Sequence, residues 1–93
     1  MNGRALVAWN LRRLRTERGV SQERLAADAG VDRAYVSELE REQGNASVDM
    51  LDKLASVLGV TVGQFLAEIP AGASEITPLP AGRKPVRRGA GRS

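Results

Sequence analysis

Glycines at positions 19, 30 and 59 cut the chain into short segments, and each is followed two residues later by a small polar residue: Ser21, Asp32 and Thr61. Glycine takes the left-handed backbone that stops a helix, and a Ser, Thr or Asp side chain caps the free N–H groups that begin the next one. A chain punctuated in this way is confined to short helices joined by tight corners.

The segments carry the apolar spacing such helices need. From Arg4 to Arg18, the residues Val7, Leu11, Leu14 and the stem of Arg18 fall on one helical face. Ser21 caps a second helix through Leu25, Ala26 and Ala29, and Asp32 caps a third that buries Val36 and Leu39. After a loop over residues 42–46, Ser47 caps a fourth with the stripe Met50, Leu51, Leu54, Ala55 and Leu58. Thr61 and Gln64 have capping-box spacing for a fifth, with Val62, Phe65, Leu66 and Ile69 as its apolar positions before Pro70. The prediction is an all-α fold of five helices forming one domain over residues 1–69. Residues 70–93 are Pro-, Gly-, Ala- and Arg-rich without periodicity and read as a flexible tail, too poor in apolar surface to offset ordering entropy.

Composition narrows the function classes. The chain has no cysteine and no histidine, which removes disulfides, thiol nucleophiles and the commonest general base and zinc ligand. Glu23, Asp28, Asp49 and Asp52 sit at ordinary exposed helix positions, so no catalytic residue, metal or cofactor is expected. Residues 1–8 lack the apolar core of a signal peptide and no apolar run is long enough to span a bilayer, so a cytoplasmic protein without membrane contact is expected. A core this small makes self-association a natural supplement, and a homodimer is expected.

Charge is unevenly placed within the net +3: residues 1–69 hold nine Lys/Arg against ten Asp/Glu, and residues 70–93 hold five against one. The basic character therefore belongs to the tail and says nothing about the folded part.

Residues 21–41 have a mechanical logic of their own. Two helices crossing steeply through a tight turn need a small residue where they touch, a glycine at positive φ and an apolar anchor on the second helix; Ala26, Gly30 and Val36 fill these positions. Such a pair leaves the outward N-terminal side of its second helix free to enter a DNA major groove. The stretches Leu11-Arg12-Arg13-Leu14-Arg15, Gly19-Val20-Ser21-Gln22, Leu25-Ala26, Ala29-Gly30-Val31, Val36-Ser37-Glu38-Leu39-Glu40-Arg41 and Leu54-Ala55-Ser56-Val57-Leu58-Gly59-Val60 resemble the lambda-repressor-like, or Xre-type, helix-turn-helix family over about residues 5–69.

That resemblance implies double-stranded DNA as the partner and assigns positions. Gln22 would bond a phosphate and brace the reading helix. Arg33, Ala34, Ser37 and Glu38 would face base edges, with Tyr35 at the flank against a phosphate. Arg15 and Glu40 match a structural ion pair between the first and third helices. Arg33 suits bidentate bonding to guanine, or is a solvated cation paired with Asp32 or Glu38; Glu38 accepts from cytosine or repels phosphate; Asn45 shapes its turn or touches the backbone. Glu42 stands where relatives carry glycine, and the loop after the third helix is poor in cations. Binding strength would then come from dimerisation, from the tail, or from both.

Two features lie outside the motif. Trp9 falls opposite the core stripe, either incidental or a contact for a partner protein or for Pro78 or Pro80 of the tail. The basic run containing Arg83, Lys84, Arg87 and Arg88 reads as a DNA-tracking arm or as a solubilising or partner-binding tail. Val62, Phe65, Leu66 and Ile69 are the expected dimer surface. The leading function is a transcriptional regulator, a repressor acting as a homodimer. The alternatives are an antitoxin or other partner-binding regulator, gripping its partner through Trp9 or the tail, and an assembly module that has lost DNA binding.

Overall fold

The structure is a computed structural model that describes residues 2–70. Five helices follow one another: α1 (Gly3–Glu17), α2 (Gln22–Ala29), α3 (Arg33–Glu40), α4 (Val48–Leu58) and α5 (Val62–Phe65). The expectations for residues 71–93, including the basic run, lie outside the described residues.

Local chemistry sets most of these boundaries. Ser21 Oγ accepts the Arg24 N–H at 3.0 Å, Ser47 Oγ accepts the Met50 N–H at 3.1 Å, and Asn2 Oδ1 accepts the Ala5 N–H at 2.9 Å. Asp32 occupies the N-cap of α3 in extended backbone, but its carboxylate makes no capping hydrogen bond. Gly19, Gly30 and Gly59 have φ of 66°, 73° and 71°. The valine after each returns its N–H to the helix it has just left: Val20 to Arg15 O, Val31 to Ala26 O and Val60 to Ala55 O, at 3.1, 2.9 and 3.0 Å. All three valines pack against the core, so one Gly-Val unit satisfies a terminal carbonyl and adds an apolar contact at the same point.

The core is Val7, Leu11 and Leu14 from α1, Leu25 and Ala26 from α2, Val36 and Leu39 from α3, Leu51, Leu54, Ala55 and Leu58 from α4, and Phe65 from α5. α2 packs on α3 and α4, α1 on α3 and α5, and α4 on α5. Every helix thus has partners on more than one side, and the two-helix unit α2–α3 is gripped from behind by α1 and α4.

The fifth helix is shorter than its apolar spacing suggested. It ends at Phe65, and Leu66 is already its cap. Extension would require the carbonyls of Phe65, Leu66 and Ala67 to receive N–H groups from residues 69, 70 and 71. Pro70 has no N–H. The Asn10 side-chain amide has taken the other two, donating to Phe65 O at 3.2 Å and Ala67 O at 2.9 Å, and also to Leu6 O at 3.0 Å. Asn10 is 1% exposed, and it pins the end of α5 to α1. Its position within the Val7, Leu11, Leu14 stripe is the signal that sequence reading passed over.

A second clamp joins α1 to α4. Arg18 Nε donates to Leu58 O at 2.8 Å and its Nη1 to Leu14 O at 3.1 Å. The guanidinium thereby satisfies one of the free carbonyls at the C-terminus of α4.

Candidate nucleic-acid interface

The N-terminal half of α3 is presented by the corner that precedes it. Gly30, Val31 and Asp32 turn the chain between α2 and α3, Val36 is fully buried beneath, and Arg33, Ala34 and Glu38 are left exposed on the outer side. Arg33 makes no ion pair with Asp32 or Glu38. Its guanidinium is therefore unconstrained by either acid.

What holds α3 in this pose is a carboxylate. Glu40, 6% exposed, receives Arg15 Nε on Oε2 at 2.7 Å and Arg15 Nη2 on Oε1 at 2.8 Å. Oε1 also receives Gln22 Nε2 at 3.1 Å and Arg12 Nε at 3.3 Å, while Arg15 Nη1 donates to Val20 O at 2.9 Å. Burial pushes the Glu40 carboxyl up, but the hydrogen bonds from Arg15 and Gln22, the Arg15 charge and the Arg12 hydrogen bond outweigh it, and the group lies below the ordinary glutamate range. Arg12 was missed in the sequence, although it stands three residues before Arg15 on the same helix face.

Above the paired Arg15 and Glu40, the side chains of Arg12, Ser21, Gln22, Glu23 and Arg33 line an open cleft of about 390 Å³, with two guanidinium groups against the one further carboxylate. Gln22 keeps one amide hydrogen free after its bond to Glu40, so the cleft offers several donors over a carboxylate already neutralised by two guanidinium groups. Its chemistry suits an anion.

Other candidate residues are placed less openly. Ser37 is half-buried and its hydroxyl is held by Arg41 Nη1; Arg41, exposed at the end of α3, also reaches Gln43 Oε1 at 3.4 Å. Arg41 thus stands beside Ser37 at the C-terminal end of α3, a neighbour the sequence had not assigned. Tyr35 is half-buried, its hydroxyl enclosed and unpartnered among the described residues, and burial raises its phenol above the ordinary value. Asn45 is exposed in the loop between α3 and α4. In that loop Glu42 adopts φ 63°, a left-handed backbone that glycine takes without a steric penalty.

Trp9 stands outside the core cluster, and α5 differs from the first reading. The Trp9 ring is half-buried and has the Arg13 guanidinium over it at 5.5 Å, and Arg13 in turn contacts Glu17 Oε2 at 3.3 Å. Phe65 is fully enclosed by its own chain, which corrects its assignment to a dimer surface: its ring has no area left to give. Val62 and Ile69 are half-buried, and Leu66 is exposed.

Residues 11–65 match the helix-turn-helix family. The chain belongs to the lambda-repressor-like, Xre-type helix-turn-helix family. It is 44% identical over 63 residues to a Neisseria hypothetical transcription factor from Neisseria meningitidis serogroup B, covering 68% of this chain and 59% of that one. The crystal structure of the hypothetical transcription factor NHTF from Neisseria superposes with a TM-score of 0.68 at 42% identity, over 71% of this chain and 76% of that chain. The transcriptional regulator SinR of Bacillus subtilis is 38% identical over 64 residues, 68% of this chain and 58% of SinR. Its N-terminal DNA-binding domain superposes with a TM-score of 0.65 at 35% identity, over 69% of this chain and 94% of that domain. The restriction-modification controller protein C.AhdI from Aeromonas hydrophila superposes with a TM-score of 0.64 at 40% identity, over 67% of this chain and 94% of the controller. The matched residues thus span about three fifths of the Neisseria factor and of SinR. Among the described residues no helix is long and apolar enough to cross a membrane, and no cluster of acids forms a metal site.

Proposed function

We propose that this helix-turn-helix protein is a sequence-specific double-stranded DNA-binding repressor, acting as a homodimer on a pseudo-palindromic site with half-sites one helical turn apart. The observation that carries the reading is the exposed strip of Arg33, Ala34 and Glu38 on a helix whose opposite side is locked by the buried Glu40 network. A helix held from behind and open along its N-terminal face is the form that enters a major groove. Arg33 reads guanine, Glu38 accepts from cytosine, and Ser37 acts together with the Arg41 it holds. Gln22 and Asn45 contact the backbone, and Tyr35 joins them only by turning its enclosed hydroxyl outward. The structural relatives include a DNA-binding domain and a restriction-modification controller, which supports a regulator and favours neither an antitoxin nor a DNA-free assembly module. A domain that covers one operator acts most simply by occluding it.

DNA reading belongs to residues 1–69 in this scheme. The five basic residues of segment 70–93, Arg83, Lys84, Arg87 and Arg88 among them, supply the phosphate attraction that a folded part with nine cations and ten anions lacks.

Selection of bound duplexes from a random pool tests the proposal. The expected result is a two-fold-related motif whose half-sites lie about 10 base pairs apart, with Arg33→Ala relaxing one position in each half-site. Recovery of no motif, with the protein folded, would refute it.

A further inference from the structure

A serine hydroxyl donates one hydrogen bond and accepts two, so on a reading helix it tells bases apart only when its surroundings fix which of these it does. A hydroxyl inside a helix commonly turns back on its own backbone. Thr16 in α1 does so, donating to Arg12 O at 2.8 Å and to Arg13 O at 3.2 Å. Ser37 in α3 does the reverse. Its oxygen accepts from Arg41 Nη1, one turn further along the chain, and among the described residues its hydroxyl hydrogen is given to no protein group.

Arg41 is placed to act on that hydroxyl. Its Nε reaches Gln43 Oε1 at 3.4 Å, and none of the ion pairs among the described residues includes it, although Glu38 and Glu42 stand close in sequence. Its charge is therefore not spent on a carboxylate. A hydroxyl oxygen that accepts from a cation becomes a poorer second acceptor, and its own hydrogen a better donor. Ser37 follows Arg33 by four residues and so shares its helix face. We propose that Arg41 is a positioning residue that commits Ser37 to donating, so that α3 reads a base acceptor there: purine N7, guanine O6 or thymine O4. Cytosine presents only its amino donor in the major groove and is the base refused on the contacted strand. The neighbouring Glu38 accepts only, so consecutive residues of α3 carry opposite polarity. The inference rests on the DNA-reading function proposed above and assigns the polarity of one of its contacts.

Equilibrium binding of the full chain to the duplex selected from the random pool tests it, together with duplexes in which each base pair of a half-site is replaced by the other three. The variants are Ser37→Ala, Arg41→Met, the double variant and Arg41→Lys, each with its melting temperature. Ser37→Ala is expected to lose about fivefold of discrimination against cytosine at one position in each half-site. Arg41→Met is expected to lose the same discrimination at the same position, the double variant no more than either, and Arg41→Lys, which keeps a cation one turn from Ser37, to recover most of it. If Arg41 only ends the helix, Arg41→Met lowers the melting temperature and leaves every base preference as it was. If Arg41 holds a phosphate, Arg41→Met weakens all duplexes alike and reduces the salt slope by about one. Either result overturns the proposal, as does a Ser37→Ala variant that keeps all its preferences. A wild-type chain that selects no motif overturns the DNA-reading function and this inference together, whereas a motif indifferent to both residues overturns the inference alone.

Discussion

Arg15 and Glu40 meet side-on across α1 and α3, with two hydrogen bonds of 2.7 and 2.8 Å between a guanidinium and a carboxylate whose side chains are 6% and 0% exposed. The pair lies directly behind the reading face, and the same carboxylate receives Gln22 from the first turn of α2 and Arg12 from α1. One group therefore sets the relative positions of three helices. Removing Glu40 strands the buried Arg15 guanidinium, and removing Arg15 leaves the Glu40 carboxylate only its longer bonds from Gln22 and Arg12. Arg15→Met alone, or Glu40→Leu alone, is expected to cost about 3 to 5 kcal/mol, while the double variant recovers most of the loss because two apolar side chains of similar volume need no desolvation. Urea unfolding of the two singles and the double measures the cycle; additive losses would contradict it.

The same carboxylate gives stability a pH dependence with a defined sign. Glu40 is held below its ordinary range in the folded protein and returns to it on unfolding. Its contribution is therefore complete above the ordinary glutamate range and is lost as pH falls through the lower folded value. The melting temperature is expected to fall on acidification through that window, with a shallower acid limb in Glu40→Gln. Thermal melts across the acid range decide the matter.

Asn10 is predicted to be a structural hinge pin. Asn10→Leu removes the donor to Phe65 O and Ala67 O and leaves both carbonyls to find other partners, for an expected loss of about 1 to 3 kcal/mol. The loss is expected to be local as well as global. Backbone amides of residues 62–67 should exchange with solvent faster in the variant than those of α2.

Two loop positions should respond in opposite directions. Glu42 adopts φ 63°, so Glu42→Gly relieves a left-handed non-glycine residue and is expected to stabilise by about 1 kcal/mol. That corresponds to a rise of roughly 4 to 8 °C in melting temperature for a domain of this size. It also removes a negative charge beside the reading helix, so DNA affinity should rise with it. A Cβ at Gly44 would lie 2.8 Å from Leu39 Cδ2 and 3.2 Å from the Leu39 backbone nitrogen. Gly44→Ala is therefore expected to destabilise.

Tyr35→Phe separates fold from recognition. The hydroxyl is enclosed without a partner among the described residues, so its loss is expected to leave the melting temperature unchanged or slightly raised. A fall in DNA affinity with intact stability assigns the hydroxyl to a DNA contact. Unchanged affinity would remove Tyr35 from the interface.

Most of the scaffold was legible because the rules that build it act within a few residues. Ser21 and Ser47 cap their own helices, Gly19, Gly30 and Gly59 stop theirs, and the stripe from Val7 to Leu14 is set by helical period alone. These relations need no knowledge of how the helices pack. The candidate reading face was legible for the same reason, since Arg33 to Glu38 follow directly from a corner placed by Gly30. The clamps were not legible. Asn10 meets a carbonyl 55 residues away and Arg18 one 40 residues away, and no local rule specifies which distant backbone groups will be within reach. The short α5 and the enclosed Phe65 have the same origin. Caps, glycine stops and apolar period determined where the first four helices begin and end and which way their apolar sides turn; tertiary packing decided where α5 stops, which apolar residues are enclosed and which polar groups find partners, because those contacts join residues far apart in the chain.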